Sequence, residues 1–389
     1  MTITRADAER MDQADPLAPW FDEFIDPSGG TLVYLDGNSL GRPPKRTAAR
    51  LATLVHDDWA HGLIGSWETW LDMPRRVGDR LAPLVGAGPG EVIVHDSTTI
   101  NLYQLVHAAL AMRPDRHVIA IDDHEFPTDR YVVEGIAASS PGVSVRASFD
   151  RLDDVAVVVR SVVDYRTAAV VDVAAETARA TSAGALVLWD LSHAAGVIPI
   201  DLHAAGVQLA AGCTYKFLNG GPGAPGFSYV AEELQPAITQ PIWGWFARRD
   251  QFGMGPGFDP CDGIGRLMIG TPSIIALTAA EVGIEVVAEA GIDRVAAKAS
   301  LLTALALDLC DQLSLTSTTP RESDRRGGHV AVVHDDARAL VPALAARGIV
   351  TDFREPDVAR LGLSPLTTRF VDVFDGVTAV SDVARLRRR

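Results

Sequence analysis

Lysine is scarce in this chain of 389 residues: Lys45, Lys216 and Lys298 stand against 32 arginines. Amine chemistry therefore has only three possible addresses. Cysteine is as rare, and Cys213, Cys261 and Cys310 lie 48 and 49 residues apart. That spacing excludes a disulfide framework and a paired-cysteine metal motif, and it fits a reducing compartment. Positive charge is in deficit, with 35 Lys and Arg against 50 Asp and Glu for a net charge of −15, so a nucleic-acid surface would be repelled. No run of about 18 apolar residues is present to span a bilayer. The stretch MTITRADAERMDQADPLAPW lacks the apolar centre of a secretory signal. The expectation is a cytoplasmic protein with neither nucleic acid nor membrane as a partner, and no internal repeat breaks the chain into units.

What is present is ordinary for a globular fold: 47% hydrophobic and 22% charged residues. At roughly 150 residues per domain the length allows two to three domains, or one large α/β unit with an appendage. Strand-like runs come in series at Glu91 to His95, His117 to Asp122, Ala156 to Val159, Ala168 to Val173, Ala185 to Asp190 and Phe227 to Val230. They are β-branched, apolar on both faces and mostly separated by helical stretches, the pattern of a largely parallel sheet buried between helix layers. Asp96-Ser97-Thr98-Thr99 precedes Leu102, Leu105, Val106, Ala109 and Leu110 at helical spacing, so hydroxyls gather at a helix N-terminus. Further on, the pattern predicts a long helix over about 274–313, a strand over 329–334, a helix over 337–347, a strand over 349–354 and a last helix from about Gly376. The division expected is a large sheet domain, 61–283, and a smaller α+β domain built from 1–60 and 284–389, with the boundary near Thr271 to Gly283.

Four stretches carry possible chemistry. GCTYKFLNGGPGAPG, 212–226, sets Lys216 in an apolar strand-and-turn context before a Gly-rich turn. Desolvation makes an amine a nucleophile, and glycines admit a planar ligand, so a Schiff-base lysine fits; a surface lysine before a turn is the plain alternative. VLWDLSHAAG ends a buried strand at Asp190, which would pair with a protonated pyridine nitrogen or else cap the following turn. HEFPTD, 124–129, offers Phe126 to stack on a ring, or forms only a turn around Pro127, or lends Asp122, Asp123, His124 and Glu125 to a metal. The start at Asp96 to Thr99 suits a phosphate, though ordinary capping would also explain it.

YLDGNSLGRPP (34–44), HEFPTD, SVVDYRT (161–167), WDLSHAAG and CTYKFLNGGPG together resemble the kynureninase family, fold-type I pyridoxal-phosphate hydrolases. The similarity runs in order over most of the chain. The lysine segment is its most specific part, whereas Asp-x-x-His and the Gly-rich turn are shared with cysteine desulfurases and other class V relatives. The resemblance implies pyridoxal 5'-phosphate as cofactor, a mainly parallel seven-stranded sheet with a small C-terminal domain, a homodimer and no metal. It further implies hydrolysis of L-kynurenine or a ring-substituted kynurenine to an anthranilate and L-alanine, in tryptophan catabolism and NAD biosynthesis.

Residue by residue, Lys216 resembles the lysine that binds the cofactor and Asp190 the partner of the ring nitrogen. Thr98, Thr99, Tyr215 and, from a second subunit, Trp245 and Thr271 resemble the phosphate contacts. Phe126 resembles the stacking residue, with Asp129, Ser161 and His193 around the ring; Tyr215 is also the candidate for proton transfer at the substrate carbonyl. Arg360 resembles the arginine that holds the substrate carboxylate, and His61 a residue near the aromatic amine. Gly65 and Thr367-Thr368 depart from the larger residues common at those places. A cysteine desulfurase or β-lyase of the same fold, and a non-catalytic cofactor-binding regulator, are the alternative functions.

Overall fold

The computed structural model describes residues 2–26 and 28–387. Its main sheet has seven strands: β1 (Val92–His95), β2 (Val118–Ile121), β3 (Ser144–Arg146), β4 (Val155–Ser161), β5 (Leu186–Asp190), β6 (Leu209–Cys213) and β7 (Gly226–Val230). They lie in the order β1-β7-β6-β5-β4-β2-β3. β7 runs antiparallel to both its neighbours, and the other ladders are parallel.

Both faces are covered, which is why the central strands read as continuous apolar runs. Val157, Val159, Leu186 and Leu188 pack with Leu102 and Leu105 of helix α1 (Thr98–Ala111) and Val133 and Ile136 of α2 (Pro127–Ser139). Val158, Val187 and Trp189 face the other way. They meet Ala180 of α3 (Val173–Ser182) and Leu277 and Ile284 of α4 (Ile274–Ala290) in a second core. Each such apolar side chain, fully buried, contributes about 1.5–3 kcal/mol.

A four-stranded antiparallel sheet forms from β8 (Thr316–Ser317), β9 (His329–Val333), β10 (Asp352–Arg354) and β11 (Val358–Gly362), in the order β10-β11-β9-β8. Val330, Val332, Ala359 and Leu361 turn one face of it onto α5 (Ile292–Gln312), α6 (Ala337–Ala345) and α7 (Phe370–Arg387). Strand alternation then places His329, Asp352 and Arg360 on the opposite face.

Several sequence expectations are corrected. The segment 168–173 makes only isolated bridges, because Ala168 has a left-handed φ of 65° and Asp172 accepts the Ala175 N–H at 2.9 Å to start α3. Two strands that the runs did not include complete the sheet, the edge strand β3 and the Ala- and Gly-rich β6; a Cβ on Gly212 would meet the Phe227 ring at 2.5 Å. The long helix expected over 274–313 is two, broken at Gly291 with φ 85°. The strand expected over 349–354 splits: Ile349–Val350 pairs in parallel with Val33–Tyr34, while β10 joins the small sheet through β11, which the pattern did not reveal. The last helix starts at Phe370, since the Asp12 carboxylate accepts the Phe370 and Val371 N–H groups at 2.6 and 3.1 Å.

Candidate active site

Ser161 and Asp190 are register partners at the carboxyl ends of β4 and β5, the edge of an open α/β sheet where ligands bind. Asp190 is buried, and its Oδ1 accepts hydrogen bonds from the Ser192 N–H at 2.8 Å and Oγ at 2.5 Å. Its Oδ2 accepts none from the described residues. Burial pushes this carboxyl's pKa up, opposed by the nearby Lys216 charge and the two Ser192 bonds. Such a group calls for a cation or a strong N–H donor at the open oxygen.

Lys216 follows β6 by three residues, on a turn held by its own glycines. Thr214 Oγ1 donates to the Pro225 carbonyl at 2.7 Å, and the Gly220 and Asn219 N–H groups donate to the Thr214 and Lys216 carbonyls at 2.8 and 2.9 Å. The N-terminal motif closes over this turn. Gly41 N–H donates to the Tyr215 carbonyl at 2.9 Å, and a Cβ on Gly41 would lie 2.3 Å from Asn219 Oδ1. Two motifs far apart in sequence, joined at Gly41 and Tyr215, thus form one structure.

The Lys216 amine is buried 3.5 Å from both ring nitrogens of His193. It also lies 5.7 Å from the Phe126 ring centre and 5.8 Å from that of Tyr215. Burial, with the Lys216 and Arg360 charges, holds the His193 pKa well below its ordinary value, so the ring is neutral. Tyr165 meets Phe126 edge-on at 5.3 Å. Asp129 is buried with Oδ2 unpartnered among the described residues, and burial and the Asp190 and Glu125 charges push its pKa up. Glu125 accepts the Ser161 N–H at 3.0 Å, and burial chiefly pushes its pKa up to about 7. Burial likewise raises the Tyr215 phenol, followed by the neighbouring Cys213.

Asp96, at a left-handed φ of 43°, turns the chain from β1 into α1. Ser97 caps the helix by accepting the Ile100 N–H at 3.4 Å, and Thr98 Oγ1 donates to the Gly212 carbonyl at 3.3 Å. A Cβ on Gly226 would come within 2.8 Å of the Thr98 nitrogen, so only glycine lets β7 approach this helix start. The first N–H groups of a helix lack intrahelical acceptors, and with the helix dipole they favour an anion.

Arg360 arrives from the small sheet and is fully buried. Its Nε donates to Asp352 Oδ1 at 2.7 Å, its Nη2 completes a bidentate pair with Asp352 Oδ2, and its Nη1 donates to the Tyr165 carbonyl at 2.7 Å. Nη1 also lies 3.4 Å from His193 Nε2. Arg354 adds a second cation, 2.7 Å from Asp352. The chain Lys216, His193, Arg360, Asp352 therefore links the two sheets.

Not every expected residue joins this cluster. His61 bonds the His56 carbonyl at 2.7 Å, Trp245 packs edge-on to Phe246 at 4.6 Å, and Thr271 and Thr99 are exposed. Among the described residues, none of these four makes a hydrogen bond, ion pair or ring contact with the Lys216 cluster. The run from Asp122 to Glu125 is divided: Asp122 accepts the His124 N–H at 2.8 Å, Asp123 pairs with Arg130, and Glu125 holds Ser161. Among the described residues no group of three or more His, Cys, Asp or Glu could hold a metal ion. Sequence reasoning missed Asp352 and the role of Glu125. The alternation of DFR and ARLG across a hairpin was the available signal for Asp352.

A family model described as the kynureninase C-terminal domain matches residues 295–380. The kynureninase of Pseudomonas fluorescens is 41% identical over 398 residues, covering 98% of this chain and 95% of that protein. That of Burkholderia pseudomallei strain K96243 is 42% identical over the same shares of both chains. Among solved structures, the apo cysteine desulfurase of Thermococcus onnurineus NA1 superposes with a TM-score of 0.80 at 16% identity, over 91% of this chain and 95% of that one. The Escherichia coli cysteine desulfurase CsdA gives 0.79 at 18%, over 95% and 98%. These two share the fold alone. On identity sustained over nearly its whole length, the chain belongs to the kynureninase family.

Proposed function

We propose that the protein hydrolyses L-kynurenine, or a ring-substituted form such as 3-hydroxykynurenine, to the corresponding anthranilate and L-alanine with pyridoxal 5'-phosphate as cofactor. It is thus a hydrolase acting on a carbon-carbon bond in a ketonic substance. The observation that carries this reading is Lys216: one of three lysines, buried against His193, beside a strand end where one Asp190 oxygen has no donor among the described residues. The residues fit the cofactor. The open Asp190 oxygen suits a ring N–H, the α1 start suits a phosphate, and the orphaned Asp129 oxygen suits a polar ring substituent.

Bound there, the cofactor supplies a protonated heteroaromatic ring that withdraws the electron pair released when bonds near the substrate's amine break. Asp190 would hold the ring nitrogen in its protonated form, and Phe126 would lie against the ring. Lys216 takes and returns a proton at the substrate α-carbon, helped by a neutral His193 that does not compete as a cation. Tyr215 gives a proton at the γ-carbonyl, its phenol kept protonated by burial. Arg360 binds the substrate carboxylate, with Asp352 fixing its fork.

The site draws on a second copy of the chain in this proposal. Trp245 and Thr271, assigned to the phosphate, and His61, near the aryl amine, do not reach Lys216 within one chain. Beside them an apolar groove of 470 Å³, lined by Trp59, Leu63, Ile64, Trp67, Trp70 and Ile275, is open on this chain. A homodimer covers it. We take the large unit as 61–283 and the smaller as 1–60 with 284–389; a separate core that joins Ala8, Val33 and Leu35 to residues from Leu302 onward supports the division, while Leu17, Phe24 and α4 through Ala290 pack on the large-sheet side. A cytoplasmic location is supported by three unpaired cysteines and, among the described residues, no helix long and apolar enough to cross a membrane. The same reading places the reaction in tryptophan catabolism and NAD biosynthesis.

A desulfurase needs a mobile thiolate. Here Cys213 is buried in β6 with Sγ 3.7 Å from the Ser192 carbonyl, and burial raises its thiol pKa. The test is product analysis: holoprotein incubated with L-kynurenine and 3-hydroxykynurenine should release alanine and the matching anthranilate. Sulfide from cysteine with no anthranilate would move the function to the desulfurase relatives, and no turnover of either would favour a regulator.

A further inference from the structure

His329 opens β9, is 0% exposed, and neither of its ring nitrogens makes a hydrogen bond among the described residues. The Arg166 backbone is placed to act on the ring as a hydrogen-bond acceptor, but its geometry does not complete a hydrogen bond to either nitrogen. A buried polar group left unpaired is unfavourable enough that an apolar side chain would serve packing better, so an orphaned imidazole asks for a function.

Register says which one. His329 stands opposite Gly362 and Ala331 opposite Arg360, so His329 and Arg360 are diagonal neighbours on one face of the small sheet. Asp352 is opposite Arg360 on the same face. That face is turned to the catalytic cluster: the His329 and His193 ring centres are 5.9 Å apart. Asn38 occupies the space that a side chain at Gly362 would need, its Oδ1 lying 1.8 Å from a Cβ built there.

Charge narrows the partner further. Burial, then the Arg360 charge, pushes the His329 pKa down to about 3, so the ring is neutral and carries one N–H donor and one lone pair. Arg360 already meets Asp352 through two bonds, the Tyr165 carbonyl through a third and Ser39 Oγ at 3.3 Å through a fourth. With its charge offset in this way, a second carboxylate arriving at Arg360 needs a donor from elsewhere. We propose that His329 is that donor: a substrate-binding residue whose ring N–H completes, with Arg360, the site for the α-carboxylate of the amino-acid substrate. The inference rests on the proposed assignment of an amino-acid substrate to this site.

The test compares two small amines on the holoprotein, followed by the change each causes in the cofactor's absorbance. L-Alanine carries the carboxylate and ethylamine does not. His329→Leu should weaken L-alanine binding about 10- to 100-fold, the usual loss of a hydrogen bond to a charged group, and leave ethylamine binding unchanged. For kynurenine, KM should rise more than kcat falls. His329→Gln, which restores an N–H donor, should recover most of the affinity. His329→Met serves in place of leucine if that variant does not fold. Unchanged L-alanine affinity, an equal loss for ethylamine, or no recovery with glutamine would overturn the proposal. Because the titration needs no turnover, it stays decisive even if wild-type protein forms no anthranilate, an outcome that would instead refute the substrate assignment.

Discussion

Replacing Glu125 by glutamine should make the cofactor-free protein more stable in neutral solution and leave it little changed in acid. Glu125 is held beside β4 by the Ser161 N–H, in reach of the Asp190 charge, and its carboxyl is pushed from an ordinary 4.5 up to about 7. A raised folded-state pKa means that the native protein binds the proton more tightly than the unfolded chain does. Glu125 therefore stabilises the fold most below pH 4.5, and that contribution is lost as pH rises through about 7. At 1.36 kcal/mol per pKa unit the shift corresponds to roughly 3 kcal/mol. Glutamine keeps an oxygen for the Ser161 N–H and carries no charge. Urea unfolding of both apoproteins at pH 5 and pH 8 would read the effect as a difference between two pH slopes, which cancels the other titrating groups. Because part of the loss already lies below pH 5, the wild type should lose roughly 2.5 kcal/mol more than Glu125→Gln between the two pH values, less whatever local relaxation recovers. Parallel pH profiles would refute the claim that burial of this carboxyl is unfavourable.

Three further variants probe the site itself. Asp190→Asn should keep the fold but lose at least 100-fold in turnover, about 3 kcal/mol of transition-state stabilisation; near-normal kinetics would reduce the carboxylate to a turn cap for Ser192. Arg360→Lys should raise KM strongly while cofactor binding persists, because an ammonium cannot reproduce the planar fork that meets Asp352 and a substrate carboxylate; loss of cofactor with unchanged substrate affinity would contradict that role. Cys213→Ala should leave conversion of kynurenine to anthranilate and alanine largely intact, as measured by product release, and a dead variant would make the thiol part of the chemistry.

The sequence was most legible where local chemistry and tertiary structure agree. The apolar runs Ala185 to Asp190 and Ala156 to Val159, the latter stopping two residues short of Ser161, and the helix start at Asp96 to Thr99 were readable because a buried parallel strand and a capped helix each carry a strong pattern. The Lys216 turn was readable because only glycines permit its close contacts with Gly41 and Thr98. Elements whose determinants lie far away were not. The start of α7 depends on Asp12, 358 residues before Phe370, and the strand β6 looks weak as a sequence because Gly212 is chosen for the Phe227 ring and not for strand propensity. The place of His329 emerges only from the register of β9 on β11, which no single segment encodes, whereas the Asp352–Arg360 pair lies within one hairpin whose alternation carried the signal.

Lys216 is the residue proposed to bind the cofactor, and with three lysines in the chain that role is directly measurable. Holoprotein reduced with borohydride, digested and examined by mass spectrometry should carry the cofactor on the peptide containing Lys216. Lys45 is exposed at the start of its helix, and Lys298 is buried in an ion pair with Asp15 at 2.6 Å. Cofactor fixed to either of those peptides, with the Lys216 peptide unmodified, would refute that role for Lys216.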